Sequence, residues 1–220
     1  MVMEERIATY IHSLDTGNSE FVNRLRRQAQ AEEIPIIRQE AEPLLKVLIQ
    51  LRQPKQILEV GTAVGYSALL MSEVMPKDCR ITTIEKYEKR IPAAKENFRL
   101  AGKDQVITLL EGDAAEILER LEGSYDLIFM DAAKGQYIHF LPAVMRLLSF
   151  GGVLVSDNVL QDGDIIESRY CIARRNRTIH ARMREYLYEL THREDLETSI
   201  LPIGDGMTVS VKKRIGEKKG

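Results

Sequence analysis

What the sequence lacks narrows the field first. Its two cysteines, Cys79 and Cys171, lie far apart and form neither a CxxC pair nor a metal-ligand spacing. A disulfide scaffold has no support, and the thiols read as reduced, as expected of a cytoplasmic chain without a secretory signal. The four histidines, His12, His139, His180 and His192, are scattered and make no zinc pattern. No apolar run approaches the roughly 20 residues that cross a bilayer, so no membrane partner is expected. Net charge is only −2, too small to drive the whole chain onto nucleic acid or membrane, which leaves local patches as the place to look. There is no G-x-S-x-G and no other nucleophile–base pair, so hydrolase chemistry lacks support.

What is present fits one α/β domain. The 220 residues suffice for a full core, and 44% hydrophobic with 29% charged residues is ordinary globular composition. We expect a single domain over 1–220: N-terminal helices over 1–53, a Rossmann-like core over 54–213 and a frayed tail over 214–220. Ile7, Ile11 and Leu14 share a face of the first helix. Asn18 or Ser19 can cap a second, and Pro35 breaks the pattern before a third helix from about Gln39 to Leu51. Strands and helices then alternate. "QILEVG", "CRITTIE", "VITLLEGD", "YDLIFMDA" and "GGVLVSDN" read as strands, each of the first four followed by a helical stretch. Such alternation predicts parallel strands joined by right-handed crossovers in a doubly wound sheet, buried on both faces. The end differs: Gly204-Asp205-Gly206 between alternating runs signals an antiparallel hairpin.

In open α/β sheets ligands sit beyond the carboxyl ends of the strands. The residues expected there are Glu59 with Gly61, Glu85, Asp113, Asp131, and Asp157 with Asn158. Acids at these positions can simply cap the following helices, but every strand ends in one. The glycine turn "EVGTAVGYS" lacks a third glycine, which argues against a pyrophosphate and so against a NAD-dependent oxidoreductase. Glu85, about twenty residues on, can accept both hydroxyls of a ribose. A nucleoside site without phosphate handling suits S-adenosylmethionine (SAM). Asp131, Asp157 and Asn158 form a hard-oxygen set one strand–helix–strand unit wide, suited to Mg²⁺ or a similar ion. Lys134, one turn past Asp131, is either a solvated lysine at a helix start or a proton acceptor at the mouth of the site.

The motifs "LEVGTAVGYS", "IEKYEKRIPAAKENF", "EGDA", "FMDAAKGQY" and "VSDNVL" together resemble the metal- and SAM-dependent class I O-methyltransferases of the catechol and caffeoyl-CoA type. The resemblance spans about residues 35 to 213. It implies that Glu59, Gly61, Ser67 and Glu85 hold SAM, with Asp113 and Ala114 near the adenine. It implies Asp131, Asp157 and Asn158 as Mg²⁺ ligands, Asp131 also lying near the SAM amino group, and Lys134 as the base. Ile37, in "IPIIRQE", would be a backbone contact at the methionine end, and the usual assembly is a homodimer.

The acceptor should present two adjacent oxygens. The chain has no tryptophan and two alanines after Asp131, so its pocket is expected to lack aromatic gatekeepers. Arginines crowd the segment after the fifth strand, with Arg174, Arg175 and Arg177 at its centre, and Arg24, Arg26 and Arg27 make a second cluster. They form either a solvated helix face or a phosphate-contacting surface. 5-Hydroxyuridine carries a catechol-like oxygen pair, and an anticodon-loop base is already unpaired. The chain also resembles the bacterial tRNA 5-hydroxyuridine methyltransferases, so methylation at the tRNA wobble position is the leading expectation. The competitors are a small-molecule O-methyltransferase for catechols or caffeoyl-CoA-like esters and, more remotely, an oxidoreductase or a non-catalytic RNA-binding protein.

Overall fold

The computed structural model describes residues 5–214; of the expected tail over 214–220, all but Arg214 lies outside them. Three N-terminal helices, α1 (Glu5–Ser13), α2 (Glu20–Ala31) and α3 (Glu42–Arg52), precede the sheet. Then follow β1 (Gln56–Val60), α4 (Tyr66–Ser72), β2 (Arg80–Glu85), α5 (Ile91–Leu100), β3 (Ile107–Glu111), α6 (Ala114–Arg120), β4 (Tyr125–Met130), α7 (Tyr137–Leu147) and β5 (Leu148–Ser156). A sixteen-residue helix α8 (Arg177–His192) leads to the hairpin β6 (Leu196–Leu201) and β7 (Met207–Lys212). The sheet order is β3-β2-β1-β4-β5-β7-β6, with β1 to β5 parallel and β7 antiparallel to both neighbours. The expected parallel sheet closed by an antiparallel hairpin is thus what forms.

Alternation along each buried strand builds the two cores. Ile57, Leu127, Phe129, Val153 and Val155 face one layer, packed by α2 to α5. Leu58, Val60, Ile128, Met130 and Leu154 face the other, packed by α6 to α8. Both faces are dry, which is why the strands read as continuous apolar runs.

Locally, Ser19 caps α2 by accepting the Val22 amide at 3.3 Å. The third helix begins at Glu42 rather than near Gln39, because Pro43 favours the first turn, where its missing N–H costs nothing. Ile7 and Ile11 of α1, and Leu14 just past its end, remain exposed. Arg26 is a clearer departure from the expected basic surface. It is buried, its guanidinium pairs with Glu42 and donates to the Tyr66 hydroxyl at 2.8 Å, and that hydroxyl donates to Glu42 at 2.7 Å. This charge ties α2 and α3 to α4 and is closed to any partner; Arg24 and Arg27 remain exposed.

Candidate active site

Strand order reverses between β1 and β4, and their carboxyl ends open a crevice there. A cavity of about 480 Å³ fills it, running from Pro35 and Ile36 past Glu85, Asp113 and Ala114 to Asp131, Lys134 and Asn158. Gly61 makes the crevice possible. It has φ +105°, and a Cβ on it would lie 2.2 Å from the Asp131 carbonyl oxygen. Only glycine lets the two strand ends come this close.

At one end of the cavity Glu85 is held by backbone amides. It accepts from Ala63 at 2.8 Å through one oxygen, and from Lys86 and Tyr87 at 3.0 and 2.8 Å through the other. Its carboxylate is therefore fixed in orientation while still lining the cavity. Asp113 and Ala114 line the same end. Asp113 also does what a strand-end acid commonly does: it caps α6 through the Ala115 amide at 2.9 Å, and it pairs with Lys86 at 3.3 Å. Ser67 lines the cavity, whereas Glu59 lies behind the wall, fully buried. The Thr83 hydroxyl donates to one Glu59 oxygen, and Thr83 in turn contacts Thr62 at 2.5 Å. The other Glu59 oxygen has no hydrogen-bond partner among the described residues. Burial pushes this carboxyl up to about 7, against the Thr83 hydrogen bond that favours its anion. Ile37 is packed into the core, and it is the adjacent Pro35 and Ile36 that line the cavity.

At the other end Asp131 and Asp157 directly follow the adjacent strands β4 and β5. Burial raises both carboxyls well above the usual range; the Glu59 charge adds to the effect on Asp131, and the Asp131 charge to that on Asp157. Asp157 Oδ1 accepts the Asn158 amide at 2.7 Å, while Oδ2 is buried without a hydrogen-bond partner among the described residues. Asn158 adopts φ +62°, an uncommon conformation for a residue other than glycine, and lines the cavity. Below them the buried Tyr137 hydroxyl lies 3.0 Å from the Met130 carbonyl and 3.2 Å from that of Asp157, bracing the two strand ends. Among the described residues no three His, Cys, Asp or Glu side chains gather into a metal cluster. The local donor set is two carboxylates and an amide. That set fits a hard divalent cation completed by water or substrate oxygens, and the unpartnered Asp157 Oδ2 is the atom that would meet it.

Lys134 opens a short 3₁₀ turn, Lys134–Gln136, at the cavity wall. Its ammonium pairs at 2.8 Å with Asp205, from the β6–β7 turn. Sequence reasoning took Asp205 only as hairpin chemistry and missed this pairing; nothing local in the sequence marks a contact across 71 positions. It also defined no helix at α8, although Met183, Tyr186 and Leu190 fall at helical spacing and are buried. That helix explains part of the arginine run. Arg177 donates to the Ile172 carbonyl at 3.1 Å, Arg182 to the Gly135 carbonyl at 3.2 Å, and Arg193 pairs with Asp195 at 2.8 Å. Arg174 and Arg175 are exposed just before α8. The cavity wall also carries two aromatic rings, Tyr66 and Phe140, despite the lack of tryptophan.

The O-methyltransferase family's sequence pattern matches residues 12–213. The chain belongs to this O-methyltransferase family. It is 37% identical to a catechol O-methyltransferase of Niastella koreensis over 127 residues, covering 56% of this chain and 58% of that one, so the match spans less than two thirds of that relative. With a caffeoyl-CoA O-methyltransferase of Medicago sativa it shares 31% identity over 179 residues, 75% of this chain and 70% of the relative. Among solved structures, the SAH-bound methyltransferase PaMTH1 of Podospora anserina superposes with a TM-score of 0.86 at 26% identity, covering 96% and 95% of the two chains. Membership in an O-methyltransferase family overturns both remote expectations, an oxidoreductase and a non-catalytic RNA-binding protein. No helix among the described residues is long and apolar enough to cross a membrane.

Proposed function

We propose that this O-methyltransferase transfers the methyl group of SAM to a hydroxyl that shares a divalent cation with a neighbouring oxygen, on a small acceptor of the catechol or caffeoyl-CoA type. One observation carries the reading: a single cavity joins the backbone-anchored Glu85 to Asp131, Lys134 and Asn158. Glu85 accepts the ribose hydroxyls, and Asp131, at the end of β4, faces the positively charged methionine end with the buried Glu59 behind it. Asp131, Asp157 and Asn158 would hold the cation, Mg²⁺ or a similar ion. Such an ion would make the acceptor hydroxyl more acidic and fix its oxygen. Lys134, as the neutral amine, accepts the hydroxyl proton and becomes the ammonium that pairs with Asp205, as the oxygen–methyl bond forms and the sulfur–methyl bond breaks.

A second acceptor, tRNA carrying 5-hydroxyuridine at the wobble position, is favoured by one placement. Arg174 and Arg175 are exposed and, among the described residues, unpaired; they precede α8, which packs its Ile179 and Arg182 against the turn that carries Lys134. Methylation with labelled SAM and Mg²⁺, with and without chelator, on a catechol and on such a tRNA decides between them. Chelator-sensitive transfer to catechol supports the first reading. Transfer to tRNA alone, lost on reversing the charge of Arg174 and Arg175, supports the second. The homodimer implied by the resemblance would cover the exposed apolar face of α1, and light scattering of the purified chain tests it.

A further inference from the structure

Asp205 does not behave as a turn residue. A turn aspartate ordinarily points to solvent, yet this one is 1% exposed, a costly place for a charge without partners. Both carboxylate oxygens are used. Oδ2 accepts from Lys134 Nζ at 2.8 Å, and Oδ1 accepts from the backbone amide of Asp162. Its own carbonyl accepts the Leu160 amide at 2.9 Å. The turn and the loop after β5 are pressed together at this point: a Cβ on Gly206 would lie 2.2 Å from Leu160. Beyond the loop, the Asp162 side chain pairs with Arg38 at 2.6 Å, next to the segment that lines the cofactor end of the cavity. The Lys134 turn is steadied on its other side by Arg182, which donates to the Gly135 carbonyl.

We propose that Asp205 is the positioning residue of the reaction: its buried carboxylate sets the Lys134 nitrogen at the cavity wall and ties that setting to the loop after β5. The inference rests on Lys134 facing the acceptor hydroxyl. A purely structural alternative is that Asp205 only anchors the loop, and Asp205→Asn separates the two. The amide oxygen still accepts the Asp162 N–H, but the amide nitrogen offers Lys134 no acceptor.

The test has two parts. In the first, acylation of lysine amines is followed by peptide mass spectrometry on the full-length protein, which needs no acceptor substrate. Lys134 in Asp205→Asn is expected to react about tenfold faster than in the wild type, its nitrogen no longer being held against a buried acceptor. Arg38→Ala, which loosens the loop and removes a charge that acts on Asp205 only at longer range, should change that rate by less than twofold. Unchanged reactivity in Asp205→Asn, or equal acceleration in Arg38→Ala, overturns the proposal. In the second part, kcat on whichever acceptor the wild type methylates should fall about tenfold or more with KM for SAM within twofold. No further loss should follow in a Lys134→Ala background, and multiplicative losses overturn the proposal. A wild type that methylates neither acceptor defeats the functional reading, while the acylation result still decides the role of Asp205.

Discussion

Glu59 is a buried acid in the middle of a strand, and its position makes a quantitative prediction. It stands on the sheet face where its neighbours are Ile57, Leu127 and Phe129, and one of its oxygens has no partner. Its folded carboxyl is raised from the ordinary 4.5 to about 7, chiefly by burial. Between those values the folded chain keeps a proton that the unfolded chain has released, so stability falls as pH rises through the interval. At about 1.4 kcal/mol per pH unit, the full cost above pH 7 is about 3 kcal/mol. Below pH 4.5 both states are protonated and the cost vanishes. Glu59→Gln removes the charge at nearly constant shape and keeps an oxygen for the Thr83 hydroxyl. Urea melts of protein treated with chelator and freed of SAM should therefore show the variant more stable than the wild type by about 2–3 kcal/mol at pH 8, with the gap closing at pH 5. SAM affinity, measured by calorimetry at pH 8, should fall in the same variant. A stability difference of equal size at both pH values would refute the reasoning, because the cost would then lie in packing rather than in ionisation.

Three further outcomes are expected. Asp157→Ala should abolish chelator-sensitive turnover while sparing SAM affinity in calorimetry; loss of both would show that the cation assignment is wrong. Glu85→Ala should weaken SAM binding by about 1.5–3 kcal/mol, the worth of hydrogen bonds to a charged group, with Mg²⁺ affinity unchanged; undiminished SAM affinity would sink the ribose assignment. Gly61→Ala should lower the melting temperature and SAM affinity together, since the added carbon meets the Asp131 carbonyl at 2.2 Å and φ +105° disfavours any side chain; a variant with native melting and binding would contradict the close approach of the strand ends.

The sheet and most of the cavity were legible in the chain because both rest on local pattern. Runs such as Leu127 to Met130 are dry on both faces, and each ends where the backbone leaves the sheet, so strand boundaries and strand-end acids could be read together. What could not be read depends on contacts across the fold. Arg26 looked like part of a basic surface but is buried against Glu42, since a pairing between two helices leaves no mark in either. Asp205 satisfied turn chemistry so well that nothing called for a second role. The arginines after β5 divide into those consumed by backbone carbonyls and a salt bridge and those left exposed; Arg177 and Arg193 are satisfied by neighbours at the ends of α8, and Arg182 by the packing of α8 against the Lys134 turn.

A parallel sheet brings all its carboxyl-terminal ends to one side, so acids placed there repel one another unless each finds a positive partner. Some do within the chain: Asp113 has Lys86 and an amide of α6, and Asp205 has Lys134. Glu59 and Asp157 each keep one buried oxygen with no hydrogen-bond partner, and Asp131 stands between them electrostatically, raised by Glu59 and raising Asp157. Folding alone gains nothing from three such carboxyls, because desolvated like charges cost stability wherever they ionise. A retained proton eases them, Lys134 favours the ionised form of Asp131 and Asp157, and positive charge from a ligand would do the same. Under the proposed function, a sulfonium-bearing cosubstrate near Asp131, with Glu59 behind it, and a divalent cation at the Asp157 end would supply such charge. Internal partners alone do not separate the two roles, since Glu85 lines the cavity while held by three amides; it is the buried Asp157 oxygen without a hydrogen-bond partner among the described residues that points to an ion.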